Sequence, residues 1–223
     1  MMFESHSLQK PLPYYQQIQE SIKDAIFKGI FKPGDRLYEA QLAKQYGISR
    51  SPVREAIKVL INEGLLLCDD KSQITVYKPA LEDVIEIYEC RIALETAAVA
   101  LTAERATADQ IRELEKSLED TAIAIETENL EKIVACNAHF HDLTLLYSGN
   151  NRLIKLVDSL NSLIYYYRFL NMQGQNRPKT ILKGHTEIFQ AINEKNPEKA
   201  ASLLKAHTLE DLENLTRLIE DGE

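Results

Sequence analysis

Cysteine is scarce in this chain: Cys68, Cys90 and Cys136 are the only three in 223 residues, widely spaced and without a CxxC pair. A disulfide framework and a cysteine zinc knuckle are therefore not indicated, and the three read as ordinary buried thiols. Long apolar runs are missing as well. No stretch approaches the ~18 residues of a membrane span, and the opening MMFESHSLQK lacks a signal peptide's hydrophobic region, which predicts a soluble, cytoplasmic protein with no membrane partner. Glycine and proline are few, at eight and seven, so little interrupts regular structure. The length allows one or two domains and a sizeable core. Positive charge is in deficit: a net charge of −8, taken whole, argues against nucleic acid, because DNA binding neutralises phosphates with Lys and Arg. The distribution of charge along the chain argues the other way. Residues 1–78 carry 11 basic and 9 acidic side chains and the remainder carries 15 and 25, so a weakly basic module precedes an acidic one.

The stretch EAQLAKQYGISRSPVREAIKVLINEG, residues 39–64, reads as two short helices separated by a glycine turn. Leu42, Ala43 and Tyr46 share one face of the first, and Gly47 suits the left-handed conformation that ends it. Val53, Ala56, Ile57, Leu60 and Ile61 repeat at helical spacing in the second. Ser51 before Pro52 predicts an N-cap followed by proline at the first helical position. Arg50, Ser51, Arg54 and Lys58 then face outward on a rod of about 20 Å, a fit for a major groove. Two amphipathic helices also serve as core pieces in any helical protein, so the flanks decide the matter. Upstream, IQESIKDAIFKGIFKPGDRLYEAQLA supplies an amphipathic scaffold helix and a Pro33-Gly34 turn. Downstream, residues 65–68 and 74–77 bound the polar stretch 69–73 and read as a two-stranded wing.

This order and wording, above all ISRSPVREAIKVLINEGLL, resemble the DNA-binding domain of the GntR family of bacterial transcription regulators over roughly residues 10–79. The resemblance implies a double-stranded operator as partner. Arg50 and Arg54 match the family's base- and phosphate-reading positions, with Ser49, Ser51 and Lys58 in support. The chain departs from the pattern at the wing, where relatives carry basic residues and a glycine at the tip. Here stand Asp69, Asp70, Lys71, Ser72 and Gln73, and only Lys71 is placed to meet a phosphate. Ala40 stands where many relatives have arginine.

Lys78-Pro79 marks the expected boundary. Beyond it only helical periodicity appears, in six segments: 81–102, 107–126, 130–148, 152–171, 179–193 and 197–221. The expected fold is mostly α: a winged helix-turn-helix with a small β-hairpin over residues 10–78, then an all-α antiparallel bundle over 80–221. Residues 1–10 read as an arm. Within the bundle, Asn137 and His141 lie four residues apart and project from one helix face. His185 and His207 stand about eleven residues on either side of a turn near Asn196, so an antiparallel hairpin brings them to one level. Three imidazoles and an amide oxygen suit a divalent ion such as zinc or nickel, with positions open to an outside ligand. Taken singly, histidines on bundle helices satisfy core hydrogen bonds. His139 points to another side, and His6 lies in the arm.

Three pieces, IEIYECRIALETAAVALTAERAT, NAHFHDLTLLYSGNNRLIKLV and HTEIFQAINEKNPEKAASLLKAH, resemble the ligand-sensing FCD domain of the FadR subgroup of GntR regulators. Many such domains bind metal through an Asp or Asn, His, His, His set, and Asn137, His141, His185 and His207 fall on those positions. Arg91 and Glu95 sit close to an apolar stripe, where charges should be paired. They form an intrahelical salt bridge, or Arg91 offers its fork to an effector carboxylate, as its place near the cavity in related domains implies. Tyr165, Tyr166, Tyr167 and Arg168 are further lining candidates, although four consecutive residues cannot all face inward. An enzyme reading, from the His141-Asp142 pair of HD-type phosphohydrolases, fails because adjacent helical residues diverge by about 100°. The expected protein is not an enzyme. It is a homodimeric DNA-binding regulator, in the first instance a repressor, answering to a small organic acid at the metal.

Overall fold

The computed structural model describes residues 12–172 and 176–220 of the chain, so the N-terminal arm and its His6 lie outside the described residues. The chain divides into two compact units on either side of the Lys78–Pro79 bond. In the first, α1 (Tyr14–Phe27), β1 (Arg36–Leu37), α2 (Glu39–Tyr46), α3 (Arg50–Asn62), β2 (Leu66–Cys68) and β3 (Ile74–Val76) follow in order. Ile18, Ile22 and Ile26 of α1 are buried, and α1 packs on α3, whose own buried stripe is Val53, Ala56, Ile57 and Leu60. Gly47 ends α2 at φ 68°, a conformation that costs glycine little.

Three expectations need correction, the first two within this unit. Helix α3 starts at Arg50 with Ser49 at the N-cap, two residues before the Ser51 cap read from the sequence. Pro52 remains tolerated because the first four N–H groups of a helix have no partner inside it. The wing also acquires a third strand: β3 pairs antiparallel with both β2 and the two-residue β1, which is too short to show alternation in sequence. Finally, Cys68 here and Cys90 in the second unit are exposed, and Cys136 in the second unit is only partly buried against a core cluster, so none of the three is a fully buried thiol. The acidic wing tip has a structural use. Asp69 Oδ1 accepts from the backbone N–H groups of Lys71 and Gln73 at 2.9 and 2.8 Å, and Ser72 occupies the left-handed region at φ 59°.

The second unit is an antiparallel array of seven helices among the described residues: α4 (Leu81–Arg105), α5 (Ala108–Glu126), α6 (Leu130–Tyr147), α7 (Asn151–Asp158), α8 (Asn161–Asn171), α9 (Arg177–Asn193) and α10 (Pro197–Glu220). Side-chain caps mark several ends of the segments expected from sequence. Thr107 and Gln110 form a reciprocal capping box on α5, and Asn129 and Asn150 cap α6 and α7 with their side chains. The segment expected as one helix over 152–171 is two. Ser159 turns its hydroxyl back onto the Leu156 carbonyl at 2.6 Å, closing α7 before α8 begins. Helix α4 packs on α6, α9 and α10, and α5 on α6 and α9. The main core joins Val99, Leu114, Phe140, Ile188, Ile192 and Leu204, contributed by all five of these helices.

Candidate functional site

At the edge of that core, α6, α9 and α10 bring three histidines together. His141, His185 and His207 are all buried, and their ligand atoms lie within 4.8 Å of one another. His141 and His185 face each other Nε2 to Nε2 at 3.2 Å. Two nitrogens bound at about 2.1 Å to a common ion would stand roughly 3.0–3.4 Å apart. The His185 ring stacks on Phe140 at a 4.3 Å centroid separation, and the His207 ring follows at 4.7 Å from His185. The hairpin register responsible is fixed by the short turn after Asn193, where Lys195 takes φ 53°. Asn137, one turn before His141 on α6, is buried, and its Oδ1 has no hydrogen-bond partner. His139 is exposed.

The electrostatics keep these rings neutral. Burial, followed by the positive charge of Arg168, pushes His141 down to about 3. Burial and the neighbouring imidazoles hold His185 well below the ordinary histidine value, and burial likewise lowers His207. Neutral imidazoles with free lone pairs are what a divalent ion requires. Asn137 Oδ1 and His207 Nε2 are buried atoms without hydrogen-bond partners, and His141 and His185 present facing Nε2 atoms, so the donor set fits a metal.

Around the histidines lies a charged shell. Glu95 Oε1 accepts from Arg91 Nε at 3.0 Å and from Arg168 Nη2 at 3.4 Å. Its Oε2 lies 3.0 Å from His141 Nδ1, the kind of outer carboxylate that orients a metal-binding imidazole. Burial alone would raise the Glu95 carboxyl, but Arg91, then Arg168 and His141, hold it well below the usual range. On α10, Asp211 Oδ1 accepts from Arg177 Nη2, and its Oδ2 stands 3.8 Å from His207 Nε2. For Arg91 the intrahelical salt bridge forms and the fork nevertheless stays open. Nε is tied to Glu95, while Nη1 and Nη2 are buried without hydrogen-bond partners, and Tyr88 Oη beside them is likewise unpartnered. The Arg91 guanidinium carbon lies 4.6 Å from the Tyr88 ring centroid.

Arg168 joins this shell, and Tyr166 and Tyr167 are buried beside it in α8, whereas Tyr165 is only half-buried. Sequence reasoning missed Arg177 and Asp211. The spacing of Asp211, one turn after His207, was the available signal. In the first unit Ser49, Arg50, Ser51, Arg54, Lys58 and Lys71 are all exposed. Arg54 does not stand alone: its Nε and Nη2 donate to the Glu39 carboxylate of α2 at 3.1–3.2 Å, which fixes the guanidinium at the mouth of the helix pair.

The model of the bacterial regulatory proteins of the gntR family matches residues 14–76, and the FCD domain model matches residues 86–210. The chain belongs to the GntR family. This GntR-family member is 42% identical to the HTH-type transcriptional regulator YdhC of Bacillus subtilis over 98% of both chains. It is 24% identical to the HTH-type transcriptional repressor RspR of Escherichia coli, over 94% of this chain and 92% of that one. Among solved structures, E. coli McbR/YncC superimposes with a TM-score of 0.78 at 25% identity, covering 93% of this chain and 99% of McbR. The GntR-family chain is thus a DNA-binding transcription regulator. No helix among its described residues is long and apolar enough to cross a membrane.

Proposed function

We propose that this GntR-family protein is an acid-responsive repressor of the FadR subgroup, whose residues 10–78 bind an operator and whose residues 80–221 sense the effector. Asn137, His141, His185 and His207 hold a divalent ion, zinc or nickel, and Arg91 receives one end of a small organic acid. The observation that carries the reading is a buried cluster of neutral imidazoles beside a guanidinium whose two Nη atoms lack partners. An ion held by neutral side chains keeps its full charge, and when bound it supplies an electrophilic centre for a carboxylate. Arg91 orients that carboxylate bidentately, with its own Nε anchored by Glu95. The word repressor in the name of RspR supports the sign of regulation.

Ser49, Arg50, Ser51, Arg54, Lys58 and Lys71 form the operator surface, which their common exposure supports. A homodimer on a near-palindrome follows from the few base pairs that one short helix reads. Effector coupling of about 1–3 kcal/mol would change operator affinity roughly 5- to 150-fold, and reciprocally. The test is metal analysis of tag-free protein, followed by gel-shift titration with and without candidate acids and light scattering on the free and operator-bound protein. Wild-type protein that takes up no zinc, nickel or manganese in equilibrium dialysis defeats the metal reading. A monomer in both states defeats the dimer.

A further inference from the structure

Gly184 precedes His185 inside α9 (Arg177–Asn193), a helix that has no backbone need for glycine at that point. Its φ is not in the left-handed region, and glycine within a helix is less favourable than alanine. The reason for glycine lies across the helix pair. A Cβ built at residue 184 would stand 2.8 Å from His207 Nδ1 and 3.6 Å from both Cε1 and Cγ of the same ring. The first distance is well inside van der Waals contact, and the three nearest atoms all belong to one imidazole.

The geometry points to Gly184 as a positioning residue of the metal site: its missing side chain is the space in which the His207 imidazole seats beside His185. This rests on the metal reading above. The ring cannot give way without consequence. His207 is buried, its centroid is 4.7 Å from His185 and 5.8 Å from His141, and its Nε2 faces Asp211 Oδ2 at 3.8 Å. A methyl group at 184 pushes the imidazole off this arrangement, so the loss falls on metal binding. His185 itself, on the adjoining residue, keeps its stacking on Phe140.

The experiment is a pair of substitutions in the full chain, read by zinc competition against a chromogenic chelator and by thermal denaturation of the metal-free protein. Gly184→Ala is expected to weaken zinc at least tenfold while leaving helix content by circular dichroism unchanged. In a His207→Ala background the same substitution has nothing to strike, so the metal-free melting temperature should hold or rise with the gain in helix propensity. Should Gly184→Ala alone fail to fold while Gly184→Ala/His207→Ala folds, the contact is upheld. Zinc affinity in Gly184→Ala within twofold of wild type overturns the role of Gly184 and leaves the metal reading standing. A melting-temperature loss that persists without the His207 ring also overturns it. Wild-type protein that binds no zinc sinks both.

Discussion

Replacing Glu95 by glutamine changes one charge and almost no volume, at a point where the bundle has two buried cations to balance. The side chains of Arg91 and Arg168 are 0% and 3% exposed, and both donate to Glu95 Oε1. An amide oxygen can still accept from Arg91 Nε, so the hydrogen bond survives and the Coulombic partner does not. Stripping the counter-ion from a buried pair costs about 3–5 kcal/mol, because the remaining charge stays desolvated. Near the melting temperature, a unit of this size loses about 2–4 °C per kcal/mol. The bundle of Glu95→Gln should therefore melt roughly 10 °C below wild type by calorimetry in metal-free buffer. Zinc affinity should fall as well, by about 10- to 100-fold, as expected when an outer partner of a ligating histidine is weakened. If the proposed acid site holds, a small carboxylate at saturating concentration should return part of the lost stability by restoring a negative charge near the guanidinium groups. A loss below about 1 kcal/mol would refute the reasoning: it would mean that Arg91 and Arg168 are neutralised elsewhere and that Glu95 is not their counter-ion.

Arg54→Ala should weaken operator binding several-fold in a gel-shift titration at fixed salt, since a bidentate arginine to guanine is worth about 1–3 kcal/mol. It should leave the melting temperature nearly unchanged, because the Arg54–Glu39 pair it breaks is exposed; an unaltered affinity removes Arg54 from the reading surface. In metal-free protein, bundle stability should fall as pH drops below about 6.5: the unfolded histidines then take up protons, whereas folded His141 stays neutral down to about 3. The unfolded state thus binds more protons, and His141 alone removes about 1 kcal/mol by pH 5.5. A flat urea midpoint between pH 7 and 5 would contradict this. Thr107→Ala, which breaks the capping box of α5, should cost about 1 kcal/mol, measured as a lower urea midpoint at unchanged slope.

Local chemistry made the helices readable. Gly47, Thr107, Asn129 and Asn150 announce ends in the sequence because glycine and small polar side chains satisfy the backbone groups that a helix terminus leaves open. Where the same chemistry was ambiguous, boundaries slipped: two serines flank Arg50, and the one without proline behind it is the cap. The break at Ser159 was invisible because nothing in residues 152–171 forbids a continuous helix, and its serine bonds a carbonyl within its own turn. The histidines were legible as a set because spacing within a hairpin translates directly into height along two antiparallel rods.

The sequence by itself determined the helical periodicity, the change of charge at Lys78, the outward residues of the recognition helix and the level at which His185 and His207 meet. Each of these depends on neighbours within a turn or on a single short connection. The tertiary structure alone decided which charges meet from one helix to another. Arg168 reaches Glu95 across 73 residues, Arg177 reaches Asp211 across 34, and Arg54 reaches Glu39 across 15. Helical periodicity states which face of a helix turns inward but not which helix confronts it. The partner of a buried charge, the open fork of Arg91 and the space beside Gly184 all arise from that confrontation, and so exist only once the helices have packed.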